Sequence, residues 1–448
     1  MEKRVILQLM RKIKFIDLFA GIGGIRLGFE QAARELGFET QCVMTSEIKE
    51  YAVDVLKQNH PGEEIRGDIT KIDASDIPDF EILLAGFPCQ AFSAAGKRLG
   101  FMDTRGTMFF EVERILKEKK PFGFVLENVE GLVNHDKTEK NAPMGRTLET
   151  ILGHLAELGY KTEWKILNSR NFGLAQERKR IYIVGSKIEK PSLEFFHVKT
   201  AVLGDVLEKG LPTVHSKFIN QLLSHYSFEE LYGKSIKDKR GGENNIHSWD
   251  IEMKGEVSDN QKKLLNELFK QRRKKKWAEE FGIEWMDGMP LTFEQIKTFF
   301  DDENLMQMLE DLVSKGYLCK EHPKRLVTKT NLFGESSIVR QQDESLPLGY
   351  NIVAGKLSFE VNKILDPQDV TPTLVAMDMK KLFVVDNGGI RTLSLKEGLR
   401  LFGYPDDYQF DVKKDDGYDL LGNTVAVPVI RSVAMRLLEV YLKSNTKS

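Results

Sequence analysis

The sequence predicts a layered α/β fold, and two observations predict it. From residue 14 to residue 186, short apolar runs of strand length alternate with amphipathic stretches of helix length. That rhythm marks a sheet covered by helices. After about residue 190 it stops, and near Gly388 it resumes, so a differently built region is expected between two parts of one α/β domain. A chain of 448 residues has room for two or three domains at roughly 100–200 residues each. The expected limits are 1–190 for the first part, 191–387 for the inserted domain and 388–448 for a closing segment that packs back on the first.

The elements follow in order. Residues 14–20 (KFIDLFA) make an apolar strand and 25–36 have helical spacing. Residues 40–46 read as a strand, 51–58 as a helix and 80–85 as a buried strand. Then come helix 109–119, strand 122–127, helix 147–158 closed by Gly159, and strands 160–167 and 180–185. In the inserted region, 241–250 (GGENNIHSWD) is a polar, Gly-rich loop and 260–280 a long basic helix. Thr292 and Gln295 form a capping box for a short helix through Phe300. Leu305, Met308, Leu309 and Leu312 fall at helical spacing, and Gly316 ends that helix. Residues 317–320, a His-Pro-Lys-Arg turn and 326–329 are expected to form a hairpin. Helix, helix, hairpin is the order of a winged helix, a relative of helix-turn-helix.

Composition excludes more than it selects. Hydrophobic residues make up 41% and charged residues 29%, ordinary for a globular protein. No apolar run approaches membrane-spanning length. The basic, apolar start MEKRVILQLMRKIK is interrupted by Gln8, Arg11 and Lys12 and reads as a leading segment of the fold rather than a signal peptide. Cys42, Cys89 and Cys319 are odd in number and far apart, so neither a disulfide framework nor a metal site is expected, and the expected compartment is a reducing cytoplasm. The net charge of −2 gives no bulk attraction to nucleic acid. The run Lys270-Gln271-Arg272-Arg273-Lys274-Lys275-Lys276 is a local concentration of positive charge, and alone it reads as a solvated helix face.

Four segments carry chemistry. The first, Phe15-Ile16-Asp17-Leu18-Phe19-Ala20-Gly21-Ile22-Gly23-Gly24, runs from a strand through a Gly-rich turn into a helix, where backbone can approach a ligand closely. Arg26 stands where a dinucleotide fingerprint would want a third glycine, which argues against a pyrophosphate. Glu47 ends the second strand, a position suited to ribose hydroxyls, and Gly67-Asp68-Ile69 ends the third, suited to adenine. Singly, each of these acids reads as a solvated carboxylate. The second segment is Gly86-Phe87-Pro88-Cys89-Gln90 with Ser93, just beyond a buried strand; glycines at 86, 96, 100 and 106 give it the freedom of a mobile loop. The third is Glu127-Asn128-Val129, again at a strand end. The fourth is Gln176-Glu177-Arg178-Lys179-Arg180, in which Gln176, Arg178 and Arg180 alternate and so would share one strand face.

In this order, these segments resemble the cytosine-5 DNA methyltransferase family, of the bacterial restriction-modification type. Gly422-Asn423-Thr424-Val425 and the stretch from Arg391-Thr392-Leu393-Ser394 to Gly403-Tyr404-Pro405 match as well. The resemblance covers about residues 14–186 and 388–441. It implies a Rossmann-like domain dependent on S-adenosylmethionine, with a smaller, variable target-recognition domain. It implies a methyl transfer to carbon 5 of a flipped cytosine in duplex DNA. Cys89 is then the nucleophile, Glu127 the acid at ring nitrogen 3, and Arg180, supported by Arg178, the cation at the ring carbonyl. Cofactor contacts carry over to Asp17, Phe19, Gly21, Gly23, Glu47, Asp68, Ile69, Pro88, Asn423 and Val425. DNA contacts carry over to Gln90, Ser93 and Arg105 on the mobile loop, and to Thr373 and Leu374, which resemble the threonine-leucine pair of the recognition domain. The basic helix would grip phosphates and the loop at 241–249 would read bases. No metal and no membrane are expected. The expected state is a monomer, with a cognate restriction endonuclease as candidate partner. A tRNA methyltransferase shares the same motifs, although such relatives usually carry a short intervening region. A non-catalytic DNA-binding regulator would be suggested by loss of Cys89, Glu127 or Arg180, and all three are present. An unrelated α/β enzyme leaves the ordered C-terminal motifs unexplained.

Overall fold

The structure is a computed structural model that describes residues 12–88, 108–137, 139, 141–237, 244–284, 288–330, 336–353 and 359–446. The chain divides into two compact units. The first holds Met1–Lys209, Asp366–Lys380 and Thr392–Ser448; the second holds Gly210–Leu365 and Lys381–Arg391. The limits expected at 190 and 387 therefore differ from those of the compact units. One reason is that 366–380 is tied to the first unit's own backbone, through Thr371 N–H to Ala175 O and Glu177 N–H to Thr371 O.

The first unit is built on seven strands: β1 (Lys12–Leu18), β2 (Glu39–Ser46), β3 (Ile65–Arg66), β4 (Ile82–Ala85), β5 (Gly123–Val129), β6 (Lys161–Asn168) and β7 (Lys179–Ser186). Their order is β3-β2-β1-β4-β5-β7-β6. All neighbours run parallel except that β7 is antiparallel to both β5 and β6. Successive side chains on a strand point to opposite faces, and here both faces are dry. Ile16 and Leu18 of β1, with Phe124 and Leu126 of β5, enter one core. Ile13, Phe15 and Val125 enter the other. This is why the strands read as continuous apolar runs rather than as alternating ones.

Helices cover each face. On the first lie α3 (Met108–Lys119) and α4 (Arg146–Glu157), which contribute Val112, Ile115, Leu148 and Ile151. On the second lie α1 (Gly24–Glu35) and the C-terminal helix Val427–Thr446, which contributes Val429, Ile430, Val433 and Leu437. Each such fully buried aliphatic side chain contributes about 1.5–3 kcal/mol. The closing segment is thus half of one helical layer. Gly28 sets how close it comes: a Cβ there would stand 2.7 Å from Ile430 Cγ2 and 2.9 Å from the Val427 carbonyl. Between β2 and β3 runs α2 (Glu50–Asn59).

The second unit has its own core, around Leu264, Leu268, Phe269, Trp277, Leu309 and Tyr317. Short strands β8 (Ser235–Ile236) and β9 (Asn245–Ile246) pair in parallel. Helix α5 (Asp259–Gln271) is capped by Ser258, whose hydroxyl accepts from Gln261 N–H, and α6 (Lys276–Glu280) follows. Leu291 forms an antiparallel bridge with Tyr350. Helix α7 (Phe293–Lys297) carries the expected Thr292–Gln295 capping box, and α8 (Leu305–Ser314) is followed by Gly316 at φ +76°. Then come β10 (Leu318–Glu321), β11 (Lys324–Thr330), β12 (Ser336–Gln342) and β13 (Gly349–Ile352). In chain order these are two helices, a bridge, two more helices and a long ribbon.

Three local expectations are corrected. The hairpin does not turn at residues 322–325. Instead β10 pairs with β13 and β11 with β12, so one ribbon runs out and back beyond Pro323. The helix expected over 260–280 is broken at 272–275. The break exists because Arg272 turns inward: its Nη1 donates to Asn351 Oδ1 at 2.6 Å, its guanidinium lies over the Phe269 ring, and it is buried. The basic run is therefore not one solvated helix face. Finally, the loop expected to read bases is buried at its described end. Ile246, His247, Ser248 and Trp249 are all within the core, with the His247 and Trp249 rings stacked at 4.4 Å. Residues 241–243 lie outside the described residues.

Candidate active site

The site is assembled at the carboxyl ends of β1, β2, β4 and β5, where the polar residues of an otherwise apolar sheet collect. After β1 the chain turns sharply. Phe19, Gly21 and Gly23 all have positive φ, at +55°, +55° and +75°. For Phe19 that conformation carries strain of about 1–2 kcal/mol, and such strain concentrates at functional sites. Around Gly21, none of the described residues stands within 4 Å of a Cβ position. The turn is held by Ala20 N–H to Ser46 O and by Gly21 N–H to Glu47 Oε2 at 2.7 Å. The other Glu47 oxygen accepts from the N–H groups of Ile48 and Lys49, at the start of α2. Helix α1 starts with no side-chain cap. Arg26, at the position of the missing glycine, is buried and gripped by Glu30 at 2.8 Å and by both oxygens of Glu63.

Asp17 is fully buried, and neither of its carboxylate oxygens has a hydrogen-bond partner among the described residues. Burial raises its pKa to about 8. Asp68 caps the turn Ile69–Lys71: its Oδ1 accepts from Thr70 N–H and Thr70 Oγ1, and these bonds hold its pKa below the usual carboxylate value. The Ile69 side chain is in the core, so a ligand could meet Ile69 only through its backbone.

Gly86-Phe87-Pro88 leaves β4 beside Glu127. A Cβ on Gly86 would stand 3.8 Å from Glu127 Oε2, and the Phe87 carbonyl accepts from Asn128 Nδ2 at 3.1 Å. Cys89, Gln90, Ser93 and Arg105 lie outside the described residues. Glu127 itself is buried, and burial raises its pKa against the opposing charges of Arg180 and Arg178. Arg180 Nε stands 3.3 Å from Glu127 Oε1. The pairing of β5 with β7 places Arg180 opposite Val129, which brings these two side chains together. In front of them is a cavity of about 360 Å³, lined by Val129, Glu130, Gly131, Glu177, Lys179, Arg180 and Thr373.

The remaining sequence-expected residues take other positions. Gln176 and Arg178 precede β7, which starts at Lys179, so Gln176, Arg178 and Arg180 do not line one strand face. The Gln176 amide serves backbone, donating to Leu401 O and accepting from Leu374 N–H. Arg178 donates to the carbonyls of Leu374, Gly422 and Thr424 and lies over the Phe402 ring, and burial lowers its pKa to about 9. It locks the closing segment against the sheet. The Leu374 side chain is fully buried. Thr373 donates its hydroxyl proton to Glu177 O at the cavity wall. Asn423 donates to Asp419, and the Val425 side chain packs where a Cβ of Gly24 would be.

Several residues at this site were not singled out from the sequence. Tyr404 Oη pairs with Thr424 Oγ1 at 2.6 Å, and Tyr408 Oη donates to Ile22 O in the glycine turn. Asp419 accepts from Lys49 Nζ and Tyr51 Oη, both at 2.6 Å. These contacts fasten the closing segment to the loops after β1 and β2. Their traces in the sequence are the Gly403-Tyr404-Pro405 and Gly422-Asn423-Thr424-Val425 matches. Cys42 and Cys319 are free thiols, and burial pushes Cys42 up to about 11 and raises Cys319 as well.

C-5 cytosine-specific DNA methylase describes the family that matches residues 13–439. The chain is 63% identical to Type II methyltransferase M.NlaIV of Neisseria lactamica, over 96% of this chain and 99% of that one. It is 42% identical to Type II methyltransferase M.HgiCI of Herpetosiphon aurantiacus, over 95% and 98%. The solved structure of the Entamoeba histolytica methyltransferase EhMeth matches with a TM-score of 0.52 at 14% identity, over 96% and 99%, a likeness of fold. A mostly parallel sheet with buried Glu127 and half-buried Arg180 at its carboxyl edge, and a match across nearly the whole chain, make this protein a member of the C-5 cytosine-specific DNA methylase family.

Proposed function

We propose that the chain methylates carbon 5 of a cytosine flipped out of duplex DNA, within one short sequence, with S-adenosylmethionine as methyl donor. The observation that carries the residue roles is Glu127: a buried carboxyl of raised pKa, ion-paired to Arg180, beside the Gly86-Phe87-Pro88 stretch that runs into Cys89. Carbon 5 of cytosine is a weak nucleophile. The Cys89 thiolate adds to carbon 6, and the ring electrons move toward nitrogen 3. Glu127 holds the proton at nitrogen 3, and Arg180 steadies the charge at the neighbouring carbonyl. Carbon 5 then takes the methyl group. Loss of its own proton and departure of the thiolate restore the ring. Cys42 and Cys319 are ill suited to Cys89's role, because burial keeps both as neutral thiols.

The residues after β1, β2 and β3 fit the cofactor. Among the described residues, Gly21 leaves open backbone, Asp17 is a buried carboxyl with no partner, and α1 begins without a side-chain cap. Phe19 would lie against the adenine, Glu47 on the ribose hydroxyls and Asp68 with the Ile69 backbone at the adenine amino group. Gly23, Pro88, Asn423 and Val425 would complete the pocket. When bound, S-adenosylmethionine supplies a methyl group made electrophilic by its sulfonium. Gln90, Ser93 and Arg105 would contact the DNA, with Thr373 on the cavity wall. The second unit would recognise the target. The setting we infer is a cytoplasmic monomer paired with a cognate restriction endonuclease.

The test is base-resolution sequencing of methylcytosine in plasmid DNA from a methylation-free host that expresses either the native chain or Cys89→Ala. Methylation at one short motif, absent in the variant, is the expected result. Methylcytosine confined to host tRNA would move the substrate to RNA. Methylated DNA from Cys89→Ala would overturn the nucleophile.

A further inference from the structure

Strands β11 and β12 form a two-stranded ribbon, from Lys324 opposite Gln342 to Thr330 opposite Ser336, with no third strand alongside among the described residues. Seven residues per strand give it a reach of roughly 20 Å. An uncovered ribbon of two strands gains little stability from its own packing, so its projection calls for a partner.

The side chains say which. The two strands carry Lys324, Arg325, Lys329 and Arg340 and no acidic residue, in a chain where acids slightly outnumber bases. At its base, Lys324 pairs with Glu321 and Arg325 with Asp343. Lys329 and Arg340 stand farther out and are exposed. Leu326 lies opposite Arg340, and Thr328 opposite Ile338, so these four share one face. Ile338 is 72% exposed and Leu326 39%. A two-stranded ribbon fits the major groove of B-DNA, where arginine reads guanine and apolar groups meet the thymine methyl.

We propose that the β11–β12 ribbon enters the major groove of the substrate duplex, with Arg340 on a base edge, Leu326 and Ile338 against thymine methyls and Lys329 on a phosphate. The proposal rests on duplex DNA being the substrate. Lys329→Ala weakens binding to every duplex and lowers the slope of log affinity against log salt by about 1. Arg340→Ala relaxes the motif at one position, with roughly 10-fold less discrimination there.

The experiment uses the full chain. Fluorescence anisotropy with a labelled, randomised 30-base-pair duplex pool reads affinity and salt slope, and sequencing the methylated and the bound fractions reads the motif. Both exposed substitutions are expected to leave the melting temperature unchanged. If either melts early, Ile338→Ser, at a 72% exposed position, asks the same question of the thymine contacts. Wild-type salt slope in Lys329→Ala together with the wild-type motif in Arg340→Ala overturns the proposal. A native chain that binds duplex without methylating it defeats the functional reading alone, since the bound fraction still reads the ribbon. A native chain that binds no duplex overturns both.

Discussion

Two buried arginines, one in each unit, show how differently the units are organised. Arg178 bonds to the carbonyls of Leu374, Gly422 and Thr424, so it fastens the closing segment behind the site. Arg272 bonds to Asn351 and lies over Phe269, so it fixes the break between two helices and the root of the ribbon. The first came from a motif of defined spacing, the second from a charge run that resembled a solvated face. The lesson is physical. Spacing within a motif reports where backbone must go, whereas a run of like charge reports only composition until packing decides which member turns inward.

The largest expected effect breaks the comparison at the first unit. Glu127→Gln should lower kcat by about 10²–10⁴ while duplex binding persists, read by single-turnover methyl transfer. Because burial raises the Glu127 pKa, the proton is held to higher pH than on a free glutamate. The native rate should therefore fall as pH rises through that pKa, and Glu127→Gln should lack this limb. Next, Arg178→Met should cost about 3 kcal/mol, because it leaves buried carbonyls unpaired, and should raise KM for the cofactor. Arg272→Met should cost a similar amount in the melting temperature yet leave the rate per folded molecule unaltered. If both variants changed the rate alike, the division of labour would be wrong.

A smaller effect sharpens the same contrast with glycines. At Gly24 a Cβ would stand 2.4 Å from Tyr404 Oη and 2.8 Å from Val425, and at Gly349 it would stand 2.8 Å from Leu291 backbone. Gly24→Ala and Gly349→Ala should each cost about 1–3 kcal/mol in thermal denaturation. Only Gly24→Ala should also weaken cofactor binding. The smallest effect has the opposite sign. Gly153 is exposed within α4 with open space around it, so Gly153→Ala should stabilise by about 0.5–1 kcal/mol.

What was legible in the sequence followed from local rules. The first unit's strands and helices showed as period changes, and the capping box at Thr292 and Gln295 is present as expected. Glu127 and Arg180 were legible because each lies near the end or the start of a strand, and strand pairing then brings them to 3.3 Å. What was not legible depends on distance along the chain. Asp419 meets Lys49 and Tyr51, and Tyr408 meets Ile22, across more than 360 residues, where no periodicity connects them. The ribbon was misplaced because His322-Pro323 looks like a turn, whereas the strands merely change partners there. Gln176 was assigned to the site by alternation, but alternation holds only within a strand, and β7 starts three residues later.

The central claim is that Cys89 attacks the cytosine ring held by Glu127 and Arg180. The most direct test incubates the full chain and S-adenosylmethionine with duplex DNA carrying 5-fluorocytosine at the methylated position. Fluorine at carbon 5 cannot leave as a proton does, so the thiolate stays bonded to carbon 6. The account predicts a denaturation-resistant protein–DNA adduct whose proteolytic peptide carries the nucleotide on Cys89. An adduct on Cys42 or Cys319, or efficient turnover with no adduct, would contradict it.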